Sequence, residues 1–118
     1  MTTKIVDNRD LGLLIGYAAT DWAQPIEFKD YADIAATWQV SVLLREQEPI
    51  GAIFKRDGET HVSILPKWRR RWATKGLLKE ILSDTRYTKV ADGHDFMYGI
   101  LERLGFARQP DGTVAREN

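Results

Sequence analysis

Hydrophobic and polar positions alternate most regularly between residues 39 and 65. Gln39-Val40-Ser41-Val42-Leu43-Leu44-Arg45 predicts a strand, Glu46-Gln47-Glu48-Pro49 a turn, and Ile50-Gly51-Ala52-Ile53-Phe54-Lys55 the returning strand. Asp57-Gly58 is a tight-turn pair. After it, Thr60, Val62 and Ile64 alternate with His61, Ser63 and Leu65, the period of two that marks a strand. Residues 39–65 therefore predict a three-stranded antiparallel meander. Pro66 has no N–H for a ladder and ends it.

From Ala73 the period lengthens. Ala73, Leu77, Leu78, Ile81 and Leu82 fall on one helical face, with Thr74 as N-cap of a helix over 74–83. Before the meander, Lys4-Ile5-Val6 is a short β run. Asp7 or Asn8 caps a helix over 9–19, with Leu11, Leu14, Ile15 and Ala18 facing inward and Gly12 and Gly16 weakening it. Thr20 to Pro25 is a break. A second helix covers 28–37, with Phe28, Tyr31, Ile34 and Ala35 inward and Trp38 at its end. Towards the C-terminus, Tyr87–Val90 is a short strand, and 91–94 a loop in which Asp92, or Asp95 after it, caps a helix over 95–104. Gly105 suits a left-handed helix end. Phe106 folds back onto the sheet, Gln109-Pro110-Asp111-Gly112 turns, and Thr113-Val114-Ala115 forms a last edge strand. The order βααβββαβαβ predicts an α/β fold: a mixed, mostly antiparallel central sheet with helices on both faces, in one domain spanning 1–118.

Composition narrows the function. Lys+Arg and Asp+Glu are both 17, so there is no basic excess of the kind a general nucleic-acid binder carries. Without cysteine, disulfides, thiolate metal sites and cysteine nucleophiles are excluded. No apolar run has membrane-spanning length, and the first ten residues lack the apolar core of a signal peptide. A cytoplasmic protein with no membrane partner is the expectation.

Positive charge is concentrated in Lys67-Trp68-Arg69-Arg70-Arg71-Trp72, between the third meander strand and the helix at 74. The core would reject most of these side chains or use them only in part. Arginines beside a helix start can hold a phosphate. They can equally be a solvated loop, and the two tryptophans can stack on bases, cover apolar surface or mark a homodimer. Trp22 and Trp38 read as core or cleft-wall residues. Glu59 and His61 share one face of the 59–65 strand, and histidine is the side chain suited to moving a proton near neutrality. His94 lies in a loop. His61 and His94 have no carboxylate cluster that would make a metal site.

Val62 to Leu78 resembles the fourth strand, pyrophosphate loop and following helix of the GNAT superfamily of N-acetyltransferases. There a proline precedes an Arg/Gln-x-x-Gly-x-Gly/Ala signature. Ile100-Leu101-Glu102-Arg103-Leu104-Gly105-Phe106 is similar to that family's Tyr-Glu-Lys-Leu-Gly-Phe ending. In one register Arg71 opens the signature, Thr74 replaces its first glycine and Gly76 closes it. In the other, Arg69 opens it and Trp72 replaces the glycine. The first is preferred, because Gly76 then lets a phosphate approach.

The resemblance implies acyl transfer from acetyl-CoA (coenzyme A) to the amine of a small molecule or a protein. Arg69, Arg70, Arg71, Thr74, Lys75 and Gly76 would hold the pyrophosphate, and the backbone of Val62, Ile64 and Leu65 would pair with the pantetheine. Glu59 or His61 would take the proton. The family's thiolate-protonating tyrosine is replaced by Leu101, so Tyr98, one turn earlier, is the substitute. His94 stands where an asparagine often opens this helix. Small GNAT-like proteins of tailed phages have a similar compact look, which would place the chain in host cytoplasm or a virion. The missing tyrosine and glycine leave a second reading open: an inactive GNAT-like binding or virion-associated accessory protein.

Overall fold

The computed structural model describes residues 3–20, 24–90 and 95–116. Among them are seven strands: β1 (Thr3–Asp7), β2 (Gln39–Arg45), β3 (Glu48–Arg56), β4 (Glu59–Ile64), β5 (Tyr87–Lys89), β6 (Phe106–Arg108) and β7 (Thr113–Arg116). The helices are α1 (Arg9–Ala19), α2 (Phe28–Ile34), α3 (Lys75–Ile81) and α4 (Phe96–Arg103), with 3-10 turns at Ala35–Thr37 and Pro66–Trp68. The sheet order is β1-β2-β3-β4-β5-β7-β6. β1–β2, β2–β3, β5–β7 and β6–β7 pair antiparallel, and β4–β5 pairs parallel. The mixed, mostly antiparallel α/β sheet expected from the pattern is present. No described helix is long and apolar enough to cross a membrane. The described residues fall into two compact units.

The first unit runs to Arg56 and resumes over Val62–Trp72. Its core packs α1 on β2 and β3 through Leu13, Ile15, Val40, Val42, Ala52 and Phe54. Asn8 caps α1 by accepting from the Leu11 N–H. The buried face of α1 is Gly12, Leu13, Ile15, Gly16 and Ala19; Leu14 and Ala18, expected inward, are exposed. The two glycines decide this. A Cβ on Gly12 would stand 2.3 Å from Val40 Cγ1, and one on Gly16 would stand 2.6 Å from the Phe54 ring. Their lack of side chains lets the helix lie close on the sheet, and that turns Leu14 to solvent.

α2 ends at Ile34, which is 69% exposed, and Ala35 alone of its expected inward residues is fully buried. Tyr31 stacks on Phe28 and meets Tyr17 and Phe54 edge to face. Burial pushes the Tyr31 hydroxyl up to about 12. Trp38 is half-buried beneath the Arg56 guanidinium. Glu46 and Gln47 both have positive φ, the signature of a two-residue I′ hairpin, so β3 begins earlier than expected and takes in Pro49. Leu43 faces Gly51 while Leu44 faces Pro49. Ile50 is thus the extra residue of a bulge. It is fully buried, and its carbonyl accepts from the Leu65 N–H at 2.9 Å.

The second unit takes Asp57–His61 and the described residues from Ala73 onward. Thr74 Oγ1 caps α3 by accepting from the Leu77 N–H, and Leu77, Leu78 and Ile81 are buried. Gly105, at φ 92, ends α4 and reverses the chain. Phe106 is 1% exposed. The edge strand is β6, not the 113–115 segment; β7 lies between β5 and β6. The 109–112 turn brings this about by folding β7 back as a hairpin. Gln109 N–H donates to the Thr113 carbonyl, and Asp111 accepts from both the backbone N–H and the hydroxyl of Thr113. Those hydrogen bonds hold the Asp111 carboxyl below the ordinary carboxylate range. Asp95 precedes α4 without a side-chain cap. Trp22, Asp92 and His94 lie outside the described residues.

Candidate active site

β4 and β5 run parallel from matched starts: Glu59 faces Tyr87 and Thr60 faces Thr88. Thr60 points into the core, 1% exposed, with its hydroxyl 2.6 Å from that of Thr85, and its carbonyl accepts from the Thr88 hydroxyl. Strand alternation then puts Glu59 and His61 together on the other face. The structure brings these two expected residues into direct contact. His61 Nε2 is hydrogen-bonded to Glu59 Oε2, while the Tyr87 hydroxyl donates to Glu59 Oε1 at 3.0 Å. The His61 side chain keeps 38% of its surface and Glu59 22%, so the pair is reachable from solvent.

A carboxylate is acceptor-only, so the hydrogen on this bond belongs to Nε2 in the neutral ring, and Nδ1 carries the lone pair. Glu59 thereby orients a proton acceptor in the way a carboxylate orients a catalytic histidine. The sequence pattern marks Tyr87 only as a strand residue. Its role depends on the parallel register that aligns it with Glu59.

Tyr98 is set elsewhere in the second unit. Its ring lies 3.6 Å from the guanidinium carbon of Arg108 on β6. β6 is three strand positions from β4, about 14 Å across a sheet. Leu101 is 3% exposed and part of the core.

The basic loop belongs to the first unit. Trp68 lies beneath the cations of Arg45, Lys67 and Arg71, at 5.3, 5.5 and 5.1 Å from its ring centre, and its indole N–H donates to Glu48. Trp72 is 5% exposed. It is a core residue, not one of the side chains the core rejects, and gives no dimer surface. Arg69 folds inward: its Nε donates to the Ile64 carbonyl and its Nη2 to the Ala19 carbonyl at 2.7 Å. The Ile64 carbonyl and the Leu65 N–H are therefore both paired within the fold.

Arg69 at φ −59, ψ 138 followed by Arg70 at φ 69, with the Arg71 N–H bonded to the Trp68 carbonyl, is a type II turn. Its third position favours glycine. Arg70→Gly should raise stability by about 0.5–1 kcal/mol, the left-handed cost less glycine's added freedom when unfolded; the urea midpoint measures it.

Lys67, Arg70, Arg71 and Lys75 are exposed. A Cβ on Gly76 would have nothing within 4 Å, so nothing in the fold requires glycine there. The alternative register, opened by Arg69, would need the buried Trp72 in the glycine position.

No family model matches the sequence, and no curated protein matches it. Solved structures do match the fold. The ribosomal-protein-S18-alanine N-acetyltransferase of Escherichia coli aligns with a TM-score of 0.65 at 14% identity, covering 98% of this chain and 93% of that one. A protein of Xanthomonas campestris described as belonging to the GNAT family aligns at 0.64 and 18%, covering 93% and 87%. The NatC complex bound to Gag peptide and CoA aligns at 0.57 and 13%, covering 97% and 93%. The chain has a GNAT-like fold over nearly its whole length.

Proposed function

We propose that this chain is an N-acetyltransferase that moves the acetyl group of acetyl-CoA to an amine of a small molecule or a protein. The observation that carries the reading is the Glu59–His61 pair, a solvent-reachable, carboxylate-oriented base on β4 of a GNAT-like fold. An amine is protonated near neutrality and must lose a proton before it can attack. His61 Nδ1 takes that proton while Glu59 stabilises the imidazolium through Nε2–H. The amine nitrogen then bonds to the thioester carbonyl carbon, the C–S bond breaks, and the leaving thiolate takes a proton from water. Tyr98, beneath Arg108, has no part in this scheme.

Within the first unit, the exposed charges of Lys67, Arg70 and Arg71 fit an anionic diphosphate. In the second unit, Thr74 acts as the α3 cap. Arg69 does not fit, because its guanidinium is spent on two backbone carbonyls.

Calorimetric titration with acetyl-CoA tests this. The expected result is binding on the order of micromolar, weakened roughly tenfold or more by Arg71→Glu, as loss of a charge-assisted hydrogen bond implies. Absence of binding to folded wild-type protein overturns the enzyme reading. It would favour an inactive GNAT-like binding or virion-associated accessory protein, a reading supported by the use of Leu101 for packing.

A further inference from the structure

We propose that Tyr87 is a positioning residue that, through Glu59, holds the neutral His61 ring with its proton on Nε2 and its lone pair on Nδ1. The two Glu59 oxygens have different partners: Oε1 accepts from the Tyr87 hydroxyl at 3.0 Å and Oε2 is bonded to His61 Nε2. A carboxylate held by one partner swings freely about its last torsion. Held at both oxygens, it presents Oε2 to the ring at a fixed angle, and only an N–H can answer it. The register supplies the second hold. Glu59 and Tyr87 are direct partners in the parallel ladder, and the Thr60–Thr85 and Thr88–Thr60 hydrogen bonds fix both strands just beneath them.

What His61 does with a proton rests on the acetyltransferase reading. The orientation of its ring does not, and the two are tested separately. Long-range proton–nitrogen NMR at alkaline pH, where the ring is neutral, reports the tautomer of His61 in the full chain. Its signals are assigned by their loss in His61→Gln. The wild type should show predominantly Nε2–H. Tyr87→Phe, which keeps the ring and removes the donor, should move the tautomer ratio about threefold or more towards Nδ1–H, the scale of one hydrogen bond.

Tyr87→Met gives the same readout through a different side chain if the phenylalanine variant does not fold. In acetyl transfer, Tyr87→Phe should lower kcat roughly five- to tenfold with KM for acetyl-CoA unchanged. An unchanged tautomer ratio in a folded Tyr87 variant, or a wild-type ring mostly in the Nδ1–H form, overturns the proposal. A wild type that transfers no acetyl group overturns the acetyltransferase reading instead, and the tautomer ratio still decides the role of Tyr87.

Discussion

His61→Gln lowers kcat for acetyl transfer by about 100-fold or more and leaves KM for acetyl-CoA within about twofold, the pattern of a lost general base. Glutamine is close in length and still offers an N–H to Glu59, so the Tyr87–Glu59 contact and the strand survive. What disappears is the atom that accepts the proton. Glu59→Gln removes the orienting carboxylate but leaves the imidazole, and its cost is smaller, roughly 10- to 100-fold, the range for residues that position another. The ordering of the two variants separates the candidate bases named by the sequence. If Glu59 took the proton directly, its loss would be the greater and His61→Gln would cost little. Steady-state rates of thiol release from acetyl-CoA with a responsive amine decide it.

The strands and helices were legible where one local rule acted alone. The α1 range, the β2 range, the Asp57–Gly58 turn and the Thr74 cap all follow from period, turn chemistry or capping within a few residues. Helix faces were less legible. In α1 the hydrophobic count favoured Leu14 and Ala18, but close approach to Val40 and Phe54 needs glycine, and the glycine face won. The C-terminal strands were misordered because the Asp111–Thr113 contacts, which set the hairpin, involve polar residues that carry no periodicity.

The candidate site divides in the same way. Glu59 and His61 were visible as neighbours on one face, because alternation places them there. Tyr87 is 28 residues from Glu59. Its contribution depends on how far β5 slides along β4, a register no local pattern records. Arg69 shows the opposite failure. In a run of three arginines all look alike, and only the fold shows that one of them folds inward to satisfy the carbonyls of Ile64 and Ala19.

Gly51→Ala should cost about 2–3 kcal/mol, the upper part of the range for forcing a methyl into a filled site. The added Cβ would stand 2.7 Å from the Ser63 carbonyl oxygen, 2.6 Å from Ile64 Cδ1 and 3.4 Å from Ile64 Cα. Ile64 Cδ1 can rotate away, but the other two atoms are backbone and move only with β4. Gly51 also pairs with Leu43 beside the Ile50 bulge, where the Ile50 carbonyl holds the Leu65 N–H. Pushing β4 outward therefore strains the hydrogen bond at the entrance to the basic loop as well as the packing of Ile64. Against a total stability of about 5–15 kcal/mol, the loss should lower the thermal midpoint by roughly 10 °C. Gly76→Ala is the matched control: with nothing within 4 Å of the new methyl, it should leave the midpoint unchanged or raise it, since alanine is the better helix former by up to about 1 kcal/mol. Equal losses in the two variants would mean that close approach at Gly51 is not what demands glycine there. A loss at Gly51 alone would place the constraint at the β3–β4 contact beside the bulge.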